Sequence, residues 1–249
     1  MSTYIVIIPA RLKSSRLPGK PLVDILGKSM IQRTYERALE AVPADKLFVA
    51  TDSKEIADHL DTLGYNYIMT SDTCLTGTDR IAEVARSIEA DYYINVQGDE
   101  PLVNPQDIKL IIDKVTQHVP GTPAPILNGY APILTEEDYH SVTIPKVVVR
   151  PDGRLLYMSR APIPGNKKME FRQAWRQICI YAFPKQALMA FNKNGGKTLL
   201  ESYEDIEILR FLEMGYEVEM LEMSTDSIAV DVPEDVEKVI NKLKSLGQA

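Results

Sequence analysis

The sequence predicts an α/β protein with a doubly wound, mostly parallel sheet, and three observations support this. Residues 4–9 form a continuous apolar, β-branched run, which is typical of a strand buried on both faces. Residues 91–96 repeat that pattern. Amphipathic helical segments alternate with these and other strand-like runs, which is the order that a parallel sheet with helices on both faces requires.

The first half of the chain supplies the regular elements in order. The patterns predict strands at 4–9, 46–50, 67–70 and 91–96, and helices at 31–41, 54–63, 79–90 and 105–117. Asp52 or Ser53 is placed to cap the second helix. Ligands of such sheets bind at the carboxyl ends of the strands. The loops at 10–20, 51–53, 70–80 and 97–101 all follow strands, so we expect them to share one edge and form the site.

The second half is less regular. A Pro-Asp-Gly turn joins two strand-like runs into a predicted hairpin, and the patterns further predict a strand at 177–183, a helix at 202–214, a strand at 218–222 and a helix at 233–246. We expect the segment around 120–180 to be an irregular, partly β-rich insertion. The length favours one domain spanning residues 1–249.

Composition limits the classes of function. The 249 residues carry a net charge of −7, which argues against a general nucleic-acid or membrane-surface binder. The two cysteines form neither a CxxC motif nor a Cys/His cluster, so zinc and disulfide frameworks are not expected. The sequence shows no signal-peptide pattern and no apolar stretch long enough to span a bilayer, so we expect a cytoplasmic enzyme.

A basic loop directly follows the first predicted strand. Arg11, Lys13, Arg16 and Lys20 fall within ten positions, interleaved with Ser14 and further serine and glycine residues. Cationic side chains, hydroxyls and backbone N–H groups can together surround a triphosphate. The alternative is a solvated basic loop, but the position at a strand end favours phosphate binding. The loop matches neither the GxxxxGK[ST] nor the GxGxxG pattern.

Two aspartates follow other apolar stretches of the sequence. Asp99 lies in Gln97-Gly98-Asp99-Glu100, and Asp231 precedes the last helix. Two carboxylates from separate strand ends can hold Mg²⁺ against triphosphate oxygens. Each also has a simpler interpretation, Asp99 as a turn residue and Asp231 as a neighbour of a helix cap, and spacing alone does not pair them.

Arg80 lies in the first turn of the third predicted helix, after Thr76-Gly77-Thr78-Asp79. A cation at that end of a helix is unfavourable with respect to the helix dipole. We therefore expect Arg80 to have an anionic partner, such as a sugar carboxylate. Thr78 or Asp79 could cap the helix in any α/β protein.

Five motifs in this order resemble those of the 3-deoxy-manno-octulosonate (Kdo) cytidylyltransferases, also called CMP-Kdo synthetases. They are PARxxSSRLPGKP at 9–21, GTDR at 77–80, INVQGDEP at 94–101, SRxPIP at 159–164 and VDxPED at 230–235. The resemblance extends over nearly the whole chain. It implies a nucleotide-diphospho-sugar transferase-like fold, CTP as co-substrate, Mg²⁺ as cofactor, an acidic sugar as acceptor, a homodimer, and a role in lipopolysaccharide biosynthesis.

The resemblance also implies roles for individual residues. Arg11, Ser14, Arg16 and Lys20 would bind the triphosphate, Asp99 and Asp231 the metal, and Arg80, Gln97, Tyr181, Glu207 and Gln177 would face the sugar. Lys20, Asp99 and Arg80 would be the catalytic residues. The segment around 120–180 would contribute to sugar binding or dimerisation.

Three positions depart from the family pattern. Gln177 stands where the family has a sugar-contacting His, Ile208 replaces a Gln, and Thr73-Cys74 replaces Asp-His. Sites built to bond one hydroxyl discriminate strongly against altered analogues. We therefore favour 8-amino-3,8-dideoxy-manno-octulosonate (8-amino-Kdo), with Glu207 and other carboxylates available for its ammonium. Plain Kdo, another acidic sugar of the sialic-acid type, UTP as donor, and a non-catalytic nucleotide-binding module are the alternatives.

Overall fold

The computed structural model describes residues 1–14, 16–119, 121–168 and 170–248, so Ser15 of the predicted phosphate loop lies outside the described residues. The strands are β1 Tyr4–Ala10, β2 Asp24–Ile25, β3 Lys28–Ser29, β4 Leu47–Thr51, β5 Tyr67–Met69, β6 Tyr92–Val96, β7 Ile126–Pro132, β8 Lys146–Val149, β9 Leu155–Ser159, β10 Trp175–Pro184 and β11 Val218–Glu222. The helices are α1 Met30–Leu39, α2 Lys54–Leu63, α3 Gly77–Ser87, α4 Pro105–Gln117, α5 Glu136–His140, α6 Lys185–Lys193, α7 Leu199–Glu204, α8 Ile208–Glu213 and α9 Pro233–Ser245.

The main sheet has the order β11-β7-β10-β6-β1-β4-β5; β8 pairs with β10, and β9 pairs with β8. β1 pairs in parallel with β4 and β6, whereas β10 runs antiparallel to both β6 and β7. The predicted α/β class and mostly parallel sheet are thus confirmed. The reversed β10 explains how the second half of the chain joins the sheet of the first half.

Helices cover both faces of the sheet, as predicted for a doubly wound fold. Along β1, Val6 and Ile8 pack into one core with α1, α2 and α4, whereas Ile5 and Ile7 pack into the other with α3, α6 and α8. Successive side chains of a strand point to opposite faces, so a continuous apolar run serves both cores.

Helix starts follow capping chemistry. The Ser53 hydroxyl accepts a hydrogen bond from the Ile56 N–H at the start of α2, so Ser53, one of the two predicted residues, is the cap. At α3 the cap is Thr76, which forms a capping box with Asp79. Thr76 was not among the predicted caps, because the helix begins two residues before the predicted start.

Two sequence predictions in the second half are wrong. Residues 126–132, in the segment expected to be irregular and partly β-rich, were not predicted as a strand but form β7, which lies between β11 and β10 in the main sheet. The expected helix at 202–214 is two short helices, α7 and α8, separated at Asp205, whose φ of 52° is left-handed. No helix formed by the described part of the chain is long and apolar enough to cross a membrane.

Candidate active site

A cleft of about 860 Å³ opens at the carboxyl-end edge of the sheet. The loop after β1, the loop after β6 and the start of α3 line it, together with the bend between α7 and α8 and the segment before α9. The predicted site residues that line it are Arg11, Ser14, Arg16, Lys20, Arg80, Gln97, Asp99, Glu207 and Asp231. The strand-end loops therefore converge as the alternation of strands and helices predicted.

Gly98 is what allows the first two loops to approach each other. A Cβ atom at Gly98 would lie 2.8 Å from the Pro9 carbonyl oxygen, closer than a real Cβ contact permits. In the structure its small size is needed for contact between the ends of β6 and β1.

Lys20 joins the two aspartates that the sequence could not pair. Its ammonium lies 2.6 Å from an Asp99 carboxylate oxygen and 3.1 Å from one of Asp231, with 14% of the Lys20 side chain exposed. Arg16 adds a second cation on Asp231, at 2.8 Å. Asp99 and Asp231 therefore converge on a single position at which a cation is held.

The segment that carries Asp231 is tied to the loop after β6. The Val230 N–H donates to the Asp99 carbonyl at 2.9 Å, and the Ser227 hydroxyl donates to the buried Glu100 carboxylate. Burial raises the pKa of Glu100 to about 7. These contacts fix the position of Asp231 relative to Asp99 across 132 residues of sequence, the difference between 231 and 99.

Arg80 already has an anionic partner within the protein. Its guanidinium, 4% exposed, lies 3.3 Å from an Asp52 carboxylate oxygen and also donates to Thr70. Arg80 was expected to have an anionic partner, and it has one; the partner in this structure is the carboxylate of Asp52 and not a ligand. Asp52 comes from the loop after β4, another of the predicted strand-end loops.

We call the part of the cleft lined by Gln97, Glu207, Asp205 and Lys197 its Glu207 end. Glu207 accepts a hydrogen bond from the Thr78 N–H at 3.0 Å and so satisfies the start of α3. Burial raises the pKa of Glu207. Gln97 lies beside Gly77 in the cleft wall.

Tyr181 and Gln177 are not brought to the cleft surface. The Gln177 side-chain amide donates to Asn128 at 3.0 Å, and Tyr181 stacks on Phe183 at 5.6 Å between ring centroids. Burial raises the pKa of Tyr181 well above its ordinary value. Ile208 is also buried, with 1% exposure. None of these three side chains lines the cleft.

Sequence reasoning missed Lys197 and Asp205, which line the cleft and form an ion pair. Asp205 lies at the bend where α7 ends, and Lys197 just precedes that helix. The Thr198-x-x-Glu201 capping box is a sequence signal that could have placed the start of α7 and drawn attention to this bend.

A buried ion pair explains why α7 and α8 are separate. The Arg210 guanidinium binds both carboxylate oxygens of Glu201, at 2.6 and 2.7 Å. Residues nine apart would lie about 13 Å apart along a continuous helix, too far for direct contact. The bend at Asp205 allows this contact and turns the Asp205 side chain towards the cleft.

Cys74 lies in the loop that precedes α3 and forms part of the cleft wall. Its thiol donates to the Glu83 carboxylate at 3.2 Å. Burial, followed by the contact with Glu83, raises the pKa of the Cys74 thiol to about 12. A thiol held protonated in this way is a poor nucleophile at neutral pH.

A doubly wound sheet, a basic loop after its first strand and two convergent carboxylates at its edge together define a nucleotidyltransferase-like protein. The model of the Cytidylyltransferase family matches residues 5–223. The 3-deoxy-manno-octulosonate cytidylyltransferase of Protochlamydia amoebophila is 39% identical, over 94% of this chain and 91% of the relative. That of Chlamydia pneumoniae is 40% identical, over 98% and 94%. The chain therefore belongs to the 3-deoxy-manno-octulosonate cytidylyltransferase family, as its motifs had indicated.

Solved structures agree with this assignment. A CMP:2-keto-3-deoxy-manno-octonic acid synthetase complexed with CTP superposes with a TM-score of 0.89 at 34% identity, and the match covers 98% of this chain and 100% of the other. A putative glucose-1-phosphate thymidylyltransferase from Bacillus anthracis superposes at 0.66 with 13% identity, covering 98% and 95%. The second likeness shows only that the fold is shared.

Proposed function

We propose that this chain transfers CMP from CTP to an eight-carbon 3-deoxy sugar acid of the Kdo type and releases pyrophosphate. The observation that carries the proposal is the position of Lys20 between Asp99 and Asp231, at the end of a basic loop. Support comes from the family relatives, which are Kdo cytidylyltransferases, and from the similar structure complexed with CTP.

The basic loop would bind the triphosphate. Arg11, Ser14, Arg16 and Lys20 line the same part of the cleft, so their charges and hydroxyl can face the phosphate oxygens together. Lys20 and Arg16 are engaged with carboxylates in this structure. An incoming phosphate would exchange these carboxylate partners for phosphate oxygens.

The donor set fits Mg²⁺. Asp99 and Asp231 supply the oxygen ligands that this ion prefers, and Lys20 shows that a cation can contact both carboxylates. Among the residues described, no cluster of three or more His, Cys, Asp and Glu could hold a metal by itself. Mg²⁺ characteristically uses one or two carboxylates together with substrate phosphates. When bound, the ion would neutralise negative charge on the transferring triphosphate.

The chemistry is a single displacement. The anomeric 2-hydroxyl oxygen of the sugar forms a bond to the α-phosphorus, the bond to the pyrophosphate oxygen breaks, and the hydroxyl proton passes to solvent. No covalent enzyme intermediate is needed, because positioning and charge neutralisation account for most of the catalysis in such transfers. Gln97 and Glu207 would contact the sugar directly. Arg80 would hold the wall beside them, and Tyr181 and Gln177 would support it from behind.

We further propose that the preferred sugar is 8-amino-Kdo. Gln177 and Ile208 stand where the family has His and Gln, Ile208 directly follows Glu207, and two carboxylates, Asp205 and Glu207, line the cleft. A carboxylate binds an ammonium more strongly than a neutral hydroxyl. Plain Kdo is the alternative acceptor, and the family relatives favour it by name.

The remaining proposals follow from family membership. We propose a homodimer acting in lipopolysaccharide synthesis in the cytoplasm. Light scattering of the purified chain would give about 56 kDa for a dimer, twice the 28.0 kDa of one chain; a mass of one chain would contradict it.

The decisive experiment measures pyrophosphate release from CTP and Mg²⁺, with Kdo and 8-amino-Kdo compared at equal concentration. Asp231→Asn should lower kcat by about 100-fold or more, the scale of losing one electrostatic stabiliser at a reacting centre. Asp226→Asn is the matched control, because Asp226 is exposed on the same segment.

Each other result has a definite meaning. Equal turnover with UTP would indicate a different nucleotidyltransferase. Tight CTP binding without turnover would indicate a regulatory module. Activation of Kdo at least as efficient as that of its amino analogue would exclude the amino-sugar preference.

A further inference from the structure

The two carboxylates at the Glu207 end of the cleft differ in how firmly they are engaged. Glu207 is partly buried and accepts a hydrogen bond from the start of α3 at 3.0 Å. Moving it would leave the Thr78 N–H without its partner, and a buried unsatisfied donor is costly. Glu207 is therefore poorly suited to follow a charged group on a substrate.

Asp205 is the more available carboxylate. It projects from the bend between α7 and α8, lines the cleft, and has a side chain that is 72% exposed. Its backbone is fixed from the other side, because Arg160 donates to the carbonyls of Glu204 and Asp205 at 2.6 and 3.1 Å. The carboxylate is thus presented to the cleft on a rigid support.

The present partner of Asp205 is itself an ammonium. Lys197 follows Gly195 and Gly196 on the segment before α7, and its Nζ contacts the Asp205 carboxylate. The pKa of Asp205 is lowered, first by Lys197 and to a lesser degree by Arg160 and Arg11. Arg11 belongs to the basic loop, so that loop also favours the ionised carboxylate. The primary ammonium of Lys197, at the end of a long, unbranched side chain, is therefore paired with a carboxylate that lines the cleft.

We infer that Asp205 recognises a primary amino group at the distal end of the sugar acid, and that Lys197 holds its carboxylate as a stand-in until that group displaces it. The inference rests on the proposed function and extends it to a specificity-determining residue. Exchanging one ammonium for another preserves the charge-assisted hydrogen bond, whereas a neutral hydroxyl would have to replace a cation with a weaker donor. The pair therefore disfavours a sugar that ends in a hydroxyl.

The test compares steady-state activation of Kdo and 8-amino-Kdo by the full chain and two variants. Asp205→Asn keeps the size of the side chain and tolerates the left-handed backbone. It should lower kcat/KM for the amino sugar by about 10- to 100-fold and change that for Kdo less than about threefold. Lys197→Met should lower KM for the amino sugar roughly threefold or more, because an internal competitor is removed.

Glu89→Gln is the matched control, since Glu89 pairs with Lys185 away from the cleft. It should leave both sugars unchanged. Equal losses for both sugars in Asp205→Asn, or no loss for either, would overturn the inference while the proposed function stands. A higher KM for both sugars in Lys197→Met would show that Lys197 binds their shared carboxylate and would overturn its stand-in role. If wild-type protein activates neither sugar, the proposed function fails and the inference with it.

Discussion

Arg160 and Glu204 hold each other through both main chain and side chain. The Arg160 Nε–H donates to the Glu204 carbonyl at 2.6 Å, and the Glu204 carboxylate accepts from the Arg160 backbone N–H at 2.8 Å. The SRxPIP motif, which begins at the last residue of β9, is thereby joined to the bend that carries Asp205 and Glu207. Arg160 touches the cleft only through this bend, which makes it a positioning residue.

Replacing Arg160 should affect the sugar and not the nucleotide. Arg160→Met removes the donors to the 204 and 205 carbonyls, so we expect a roughly 10-fold higher KM for the sugar, with KM for CTP within twofold. Steady-state kinetics with each substrate varied in turn measures the split. Arg150→Met, at an exposed ion pair with Asp152, is the control. An equal rise in both KM values would mean that the bend does not act on the sugar alone.

Glu204 should make part of the stability acid-sensitive. Burial alone would raise its pKa, but hydrogen bonds from Ser159, the Arg160 N–H and Tyr157 outweigh burial, so the pKa of Glu204 lies below its usual value of 4.5. A lowered folded-state pKa contributes stability above the unfolded-state pKa, and that stability is lost as pH falls towards the folded-state pKa. The difference in unfolding free energy between wild type and Glu204→Gln should therefore shrink on acidification from pH 7 to below 4.5. Urea unfolding at several pH values tests this, and a constant difference would contradict it.

Gly98 should not tolerate even one additional methyl group. Gly98→Ala would place its Cβ against the Pro9 carbonyl, so the strand ends must separate, at a cost of about 1–3 kcal/mol in unfolding free energy. The same movement displaces Asp99 from Lys20, and kcat should fall as well. Gly196→Ala is the control, because its Cβ would meet no atom within 4 Å. If Gly98→Ala has the same unfolding free energy as the wild type, the ends of β1 and β6 can separate without a cost in stability.

The two thiols should be unreactive in the folded protein. The pKa of Cys74 is raised to about 12, and burial raises that of Cys179 further above its ordinary value. At pH 8 we expect slow alkylation by iodoacetamide in the native state and rapid alkylation of both in urea. Cys74→Ser should retain turnover. Rapid native labelling of Cys74, with loss of activity, would contradict this description of the cleft wall.

The parts of the site that depend on chain direction were predictable. Residues 4–9 and 91–96 are apolar enough to be recognised as central strands, and strand direction alone then brought Lys20 and Asp99 to one edge, whereas Asp231 lies nine residues after the end of β11. Their pairing was not predictable, because it depends on hydrogen bonds between residues more than 100 positions apart, such as that between Val230 and Asp99.

Strand β7 escaped prediction because of its composition. It contains Asn128 and Gly129, residue types that strands generally disfavour. Asn128 is tolerated in the core because its amide donates to the carbonyls of Ile178 and Ile180, both at 2.9 Å. The partner of Arg80 was missed for a different reason, because no local pattern in the sequence links Arg80 to Asp52.

The contact of Lys20 with Asp99 and Asp231 has a consequence for how an acidic protein accepts an acidic nucleotide. Because Lys20 and Arg16 are already paired with Asp99 and Asp231, this part of the cleft carries little net charge before a triphosphate arrives. On the proposed function, binding would be an ion exchange in which Lys20 passes to phosphate oxygens and Asp99 and Asp231 pass to the metal counter-ion. The overall charge of −7 is spread over the whole chain, so this local exchange of partners, and not the net charge, would govern the binding of the nucleotide.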